Sequence, residues 1–295
     1  MKKLMFIAAA VCTVCILGSC SKSTGSKKNL IGLSVSTQNN PFFVTLADGA
    51  RKQAEVSGCE LSIVDAGDDV VKQTSDIEDL VSKKIKVLIV NPVDSSAIAP
   101  AVTAAKKAGI PVIAVDRTVI GETVTCQIAS DNVAGAKMAG EYLLSLVGDG
   151  AEIAELQGVP GASATIDRGK GFHEAVDGKA KIVASLTANF NRVEGMSVTE
   201  NILQGNNDIK GIFAHNDEMA LGAVEAAASA GKKIVIVGFD ATDDAVAAVK
   251  EGRMAATVAQ QPGEMGKVAV ETALKIINGE SVPSSLPVIV SLITK

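Results

Sequence analysis

The sequence predicts an α/β chain folded as two Rossmann-like, doubly wound lobes joined by a three-strand hinge, and three observations predict it. From Asn29 onward, short β-rich runs alternate with longer helical patterns, as in βαβ units around parallel sheets. The alternation restarts after about Asp131. The halves also resemble each other. Val87 to Asn91 followed by Ala108 to Asp116 is matched by Gly211 to Asn216 followed by Ala230 to Asp240, each with a strand ending in Asn, an Ala-rich helix, a Gly and a strand ending in Asp. The Asn-to-Asp separations are 25 and 24 residues, which points to a duplicated lobe.

Ahead of this pattern, Lys2 and Lys3, the apolar run Leu4 to Leu17 and the small residues up to Cys20 have the layout of a secretory signal over residues 1–19. The run is shorter than the roughly 20 apolar residues of a spanning helix. No later stretch of that length escapes charge or helix breakers, so the mature chain is expected to be soluble in itself. Leu17-Gly-Ser-Cys20 resembles the lipobox of bacterial lipoproteins, in which cleavage precedes the cysteine and the thiol receives a diacylglyceryl group. Residues 20–28 would then be a lipidated polar tether; a plain secretory cleavage site is the alternative.

Five cysteines are present, of which Cys12 and Cys15 leave with the signal and Cys20 is the candidate for lipidation. The remaining pair, Cys59 and Cys126, makes no disulfide framework, and His173 and His215 are the only histidines. No metal and no cofactor is expected. Loss of Lys2 and Lys3 takes the formal charge from -5 to -7, which argues against nucleic acid or an anionic bilayer as main partner. The remaining length of about 270 residues exceeds what one core usually fills.

In chain order, strands are expected near Leu30 to Ser36, Glu60 to Val64, Val87 to Val90 and Pro111 to Val115, with helices such as Phe42 to Val56 and Ser96 to Ala108 between them. The second series has strands near Glu152 to Leu156, Ile182 to Leu186, Gly211 to Ala214, Ile234 to Val237 and Thr257 to Ala259. The all-apolar runs Val87 to Val90 and Ile234 to Val237 fit strands covered on both faces. Pro262 to Ile293 reads as one further helix and strand, too little for a third domain, which must complete an existing lobe. The lobes are therefore expected as residues 29–130 with 261–289 and residues 131–260 with 290–295, with crossings near Ser130-Asp131, Gln260-Gln261 and Ile289-Val290.

Ligands of open parallel sheets bind beyond the carboxyl ends of the strands. There the first half places Ser36, Asn39, Asn40, Pro41, Phe42 and Phe43, then Asp116 and Arg117; the second places Arg168, Phe190, Asn216, Phe239, Asp240 and Gln260. Carboxylates accept from hydroxyls, Arg and Asn donate to oxygens, and aromatic planes pack on the C–H faces of a sugar ring. The mixture suits a small polyol. Four of the six Phe outside the signal fall at these edges.

At these residues the chain resembles the periplasmic sugar-binding proteins of ABC importers, specifically the ribose-binding branch of the type I fold. The resemblance runs from about Asn29 to the C-terminus. It rests on Ser36-Thr-Gln-Asn-Asn-Pro-Phe-Phe43, Asn91-Pro-Val-Asp94, Pro111-Val-Ile-Ala-Val-Asp-Arg117, Ile128-Ala-Ser-Asp-Asn132, Glu155-Leu-Gln-Gly158, Asn216-Asp-Glu-Met-Ala-Leu-Gly222, Val237-Gly-Phe-Asp240 and Ala255-Ala-Thr-Val-Ala-Gln260. The resemblance implies that Ser36 lies in the cleft, that Asn40 and Arg117 bond the sugar and that Asp116 accepts from its hydroxyls. It further implies that Phe42, Phe43 and Phe190 enclose the ring, and that Arg168, Asn216, Asp240 and Gln260, with Phe239 beside them, are the contacts of the second lobe. D-ribose is implied over allose, xylose or galactose. The partners implied are a membrane permease and its ATPase, with a chemoreceptor as a further reader of the closed form, and the protein itself is expected as a monomer that touches the membrane only through its anchor. Ile166 departs from the pattern, standing where some ribose binders carry a second Arg, and so do Cys126 and Gln127 in the strand before the crossing.

Two other classes fit less well. A sugar-sensing repressor shares such a core but carries a helix-turn-helix headpiece, whereas here a signal and tether precede the core. A glycosidase would use Asp116 and Asp240 as its carboxylate pair. Their Arg and amide neighbours are expected to keep both ionised, leaving no proton-loaded acid. No P-loop, no GxSxG and no Cys/His arrangement suggests other chemistry.

Overall fold

The computed structural model describes residues 29–295; the expected signal and tether, Cys20 included, lie outside the described residues. The first series of elements is β1 (Leu30–Val35), α1 (Pro41–Ser57), β2 (Glu60–Asp65), α2 (Val70–Ser82), β3 (Val87–Val90), α3 (Ala99–Lys107), β4 (Val112–Val115) and β5 (Cys126–Ser130). A second follows as α4 (Asn132–Val147), β6 (Glu152–Gln157), α5 (Ser163–Val176), β7 (Lys181–Thr187), α6 (Arg192–Gly205), β8 (Gly211–Ala214), α7 (Asp217–Ser229), β9 (Val235–Asp240), α8 (Asp243–Glu251) and β10 (Ala256–Ala259). The chain ends with α9 (Pro262–Ile277), β11 (Ser285–Val288) and β12 (Ser291–Thr294).

Two six-stranded sheets result, ordered β11-β5-β4-β3-β1-β2 and β12-β10-β9-β8-β6-β7. Position for position the orders are the same, which is the structural form of the internal resemblance. All pairs of the first sheet are parallel; in the second only β12 runs antiparallel, against β10. The architecture is the two-lobed α/β arrangement that the sequence predicts. The chain passes from one sheet to the other after Ser130, after Ala259 and between Val288 and Ser291.

Strand periodicity builds the cores. Along β3, Val87 and Ile89 join the cluster under α1 and α9, while Leu88 and Val90 join the one under α2 and α3. Along the second sheet, Leu156, Ile212 and Ile236 face α6 and α7, whereas Ile153, Phe213 and Val237 face α4 and α5. A strand whose alternate residues enter two different cores has no polar face to show, so its sequence is apolar throughout.

Local chemistry sets the helix starts that matter for the cleft. Asn40 caps α1, its Oδ1 accepting from Phe42 N at 2.9 Å, and Pro41 takes the first helical position where no N–H is needed. The helix expected from Ser96 begins three residues later. Asp94 Oδ1 accepts from Ser96 N and Ala97 N at 2.8 and 2.7 Å and holds a turn ahead of α3. The single strand expected at the C-terminus is two strands of four residues in different sheets. Both are half-buried edge strands, and the apolar pair Ile289-Val290 that carries the crossing hides the break in the sequence.

Candidate functional site

The carboxyl ends of both sheets face each other across a gap, and the loops there are held in unusual conformations. Asp116, just past β4, has φ 64°, Phe190 has φ 59° after Asn189 at 51°, and Asp240 at the end of β9 has φ 128° before Ala241 at 55°. Such backbone costs on the order of 1–3 kcal/mol per residue and persists only where the surroundings enforce it. Here hydrogen bonds enforce it. Asp116 N donates to Ile128 O at 2.7 Å and Asp116 Oδ2 accepts from Asn91 Nδ2 at 3.1 Å. Asn216 Nδ2 donates to Phe190 O at 3.2 Å, and Gln260 Nε2 donates to Asp240 Oδ1 at 2.7 Å.

Two guanidiniums enter from opposite sides. Arg117 Nη1 donates to Pro92 O at 2.8 Å, fixing it to the first lobe. Arg168, on the second turn of α5, donates from Nε to Asn132 Oδ1 at 2.8 Å and from Nη1 to His215 O, and lies 3.9 Å over the ring of Phe239. Phe42 and Phe43 meet edge to face at 5.1 Å, and Arg117 stands 5.2 Å over Phe43.

A small cavity lies between the lobes. Asn40, Phe42, Phe43, Asp116 and Arg117 line it from the first lobe; Arg168, Phe190, Asn216, Asp240, Gln260 and Ala164 line it from the second. It is walled from both lobes and mixes charged, amide and aromatic side chains, a lining that suits a small hydroxylated guest. Two residues expected there do not line it. Ser36 lies behind the wall with its N–H on Asn91 Oδ1 at 3.1 Å, and Phe239 is wholly buried because strand alternation turns it toward α4 while Asp240 turns to the gap. Ala164, which does line it, carries no polar group, and nothing in the sequence marks it.

Burial is the first cause of every charge shift here. It pushes the carboxyls of Asp116 and Asp240 up, against the pull of Arg117 and Arg168 on the former and of Arg168 on the latter. It likewise lowers Arg117 and Arg168, which nonetheless remain charged. For both carboxyls desolvation outweighs the neighbouring Arg and amide groups in the direction of the shift. Asp116 Oδ1, Arg117 Nε and Gln260 Oε1 are buried with no hydrogen-bond partner in the protein. Each such atom costs about 1–3 kcal/mol, which a hydroxylated guest would offset.

The lobes are closed on one another. Ser95 N donates to Gly161 O at 2.9 Å, Ser163 N to Ser95 Oγ at 3.0 Å, and Thr118 N to Ser163 Oγ at 2.9 Å. Gly161 is needed for this approach, since a Cβ there would lie 2.0 Å from Asp94 Oδ2. Behind Arg168, the fully buried Glu155 takes His215 Nε2 at 2.8 Å and Gln157 Nε2 at 3.0 Å. Asn132, Glu155, His215 and Asp217 support the cavity without lining it. Asn132, Glu155 and Asp217 occur in the motifs of the family resemblance, yet no local pattern gives their partners.

Among the described residues no group of His, Cys, Asp and Glu is arranged to hold a metal ion, and no helix is long and apolar enough to cross a membrane.

A model for the periplasmic binding protein domain matches residues 31–281. The chain is 50% identical over 266 residues to the ribose import binding protein RbsB of Bacillus subtilis, covering 90% of this chain and 87% of that one. It is 43% identical over 297 residues to the ribose import binding protein RbsB of Escherichia coli, covering 100% and 99%. Among solved structures it resembles a Caulobacter myo-inositol binding protein bound to myo-inositol, at TM-score 0.88 and 34% identity over 92% of this chain and 94% of that one. A periplasmic solute binding protein of Actinobacillus succinogenes with bound D-allose gives TM-score 0.84 and 33% identity over 91% and 98%.

Proposed function

This chain belongs to the periplasmic binding protein family, and from that premise we propose that it is the substrate-binding component of an ABC-type sugar importer, with D-ribose its sugar. It is not an enzyme: it captures its guest and performs no reaction. One observation carries the reading. Two buried guanidiniums, one from each lobe, converge with Asp116, Asp240 and three Phe rings on a single interlobe cavity.

In this reading Asp116 and Asp240 accept from ring hydroxyls, and Arg117, Arg168, Asn40, Asn216 and Gln260 bond the remaining oxygens. Phe42, Phe43 and Phe190 cover the C–H faces. The sugar binds one lobe first; the second lobe then closes by bending at the three crossings, with residues 29–130 and 261–289 moving against 131–260 and 290–295. Only interactions stronger in the closed form can shift that equilibrium, and the contacts of Arg168, Asn216 and Asp240 are of that kind. A permease and its ATPase read the closed shape.

Because solved relatives hold D-allose and myo-inositol, the sugar is the point to test. Calorimetric titration with D-ribose, D-allose, D-xylose, D-galactose and myo-inositol should give the tightest binding for D-ribose. Another sugar binding more tightly would replace ribose, and no binding by any of them would end the sugar reading. The export signal and lipid anchor are tested on the full chain. Cys20→Ala should move the protein from the membrane fraction to the soluble fraction, and an unchanged distribution removes the anchor.

A further inference from the structure

The sugar-facing carboxylate of Asp240 sits on backbone that a residue with a side chain rarely adopts, φ 128° followed by Ala241 at 55°. Gln260 holds the side chain. Gln260 N also reaches Asp240 O at 3.4 Å, and the peptide groups that follow Asp240 are held from outside the cavity.

Asp217 is wholly buried. Its Oδ2 accepts from Thr242 N at 2.8 Å and from Thr242 Oγ1 at 3.2 Å, while its Oδ1 accepts from Thr257 Oγ1 at 2.6 Å. Thr257 Oγ1 in turn accepts from Ala241 N at 3.1 Å. The two peptide N–H groups that follow Asp240 are thus both clamped, one directly and one through the threonine. Gly238 makes room for the clamp, since a Cβ there would lie 2.3 Å from Asp217 Oδ1. The carboxylate spends its acceptors on this loop and touches no part of the cavity lining.

We propose that Asp217 and Thr257 are positioning residues for sugar affinity, holding the strained turn that aims Asp240 into the cavity. The inference rests on the sugar-binding reading above, and it adds residues that act through Asp240 alone. Thr257→Val keeps the shape of the side chain and removes both the donor to Asp217 and the acceptor for Ala241 N. Thr257→Ser keeps the hydroxyl.

Stopped-flow and calorimetric titration with D-ribose decides it. Thr257→Val should weaken binding about tenfold or more, chiefly through faster release, and Thr257→Ser should stay within about threefold of wild type. In an Asp240→Asn background Thr257→Val should cost less than about threefold, because the group being aimed is already altered. Asp217→Ala, which removes both acceptors, should weaken binding at least as much as Thr257→Val does. Equal cost in both backgrounds, or Thr257→Val binding within threefold of wild type, overturns the proposal. Should wild type itself not bind D-ribose, the functional reading fails, and the clamp is judged by amide exchange in the ligand-free protein. Exchange at Ala241 and Thr242 should then speed up in Thr257→Val and not in Thr257→Ser; unchanged exchange overturns it.

Discussion

Arg117 of the first lobe stands over the ring of Phe190 in the second, its guanidinium carbon 5.4 Å from the ring centroid. The same ring lies 5.9 Å from Arg168. A cation over an aromatic face gains about 0.5–2 kcal/mol depending on desolvation, so one ring of the second lobe draws the first lobe's charge toward it.

Arg168→Ala removes the second lobe's own cation at that ring, a donor to the sugar and the positive charge beside Asp240. The expected loss is at least about 100-fold in D-ribose affinity, about 3 kcal/mol, because buried partners are left unpaired. Calorimetry checks it, and a loss below tenfold would contradict the assignment of Arg168 to the site.

Gly161→Ala places a methyl group where Asp94 stands at closure. The variant should bind D-ribose more weakly and should fail to compact on adding sugar in solution scattering. Asp94→Ala in the same chain should restore compaction, since it clears the space. Full compaction of the single variant would show that this contact does not limit closure.

Ala164→Leu adds bulk to the second-lobe wall of the cavity. Three added carbons in a buried wall should abolish D-ribose binding, while circular dichroism of the ligand-free protein should show the fold retained. Retained affinity would mean that the sugar lies elsewhere.

Burial raises Asp116 and Asp240. Sugar hydroxyls donate to the ionised form and so lower the same groups, and a ligand that prefers the deprotonated protein must release protons on binding. D-ribose affinity should therefore rise with pH across the range just above the ordinary carboxylate pKa and level off beyond the raised values. Titrations in buffers of different ionisation enthalpy should reveal net proton release, whereas net uptake would reverse the sign and remove the proposed carboxylate–hydroxyl contacts.

Much of the site was legible because a parallel sheet has one end for ligands, and polar residues such as Asn40, Asp116, Asn216 and Asp240 stand where strands stop. Phe239 was misplaced for a related reason: a residue next to a strand end points to one face or the other, and only the observed register shows which. Ala164 and Thr257 were not legible, the first because it contributes shape alone and the second because its partners Asp217 and Ala241 are 40 and 16 residues away. Fold class was easier to read than the tail, where a continuous apolar run conceals two strands serving different sheets.

That tail bears on how the molecule comes into being. A chain emerging from its N-terminus can lay down β5 and β10, yet the outer neighbours of both are the last two strands to arrive. Neither sheet can reach its full width before residues 285–294 have been added. The finishing of both halves is thereby tied to one late segment of the chain.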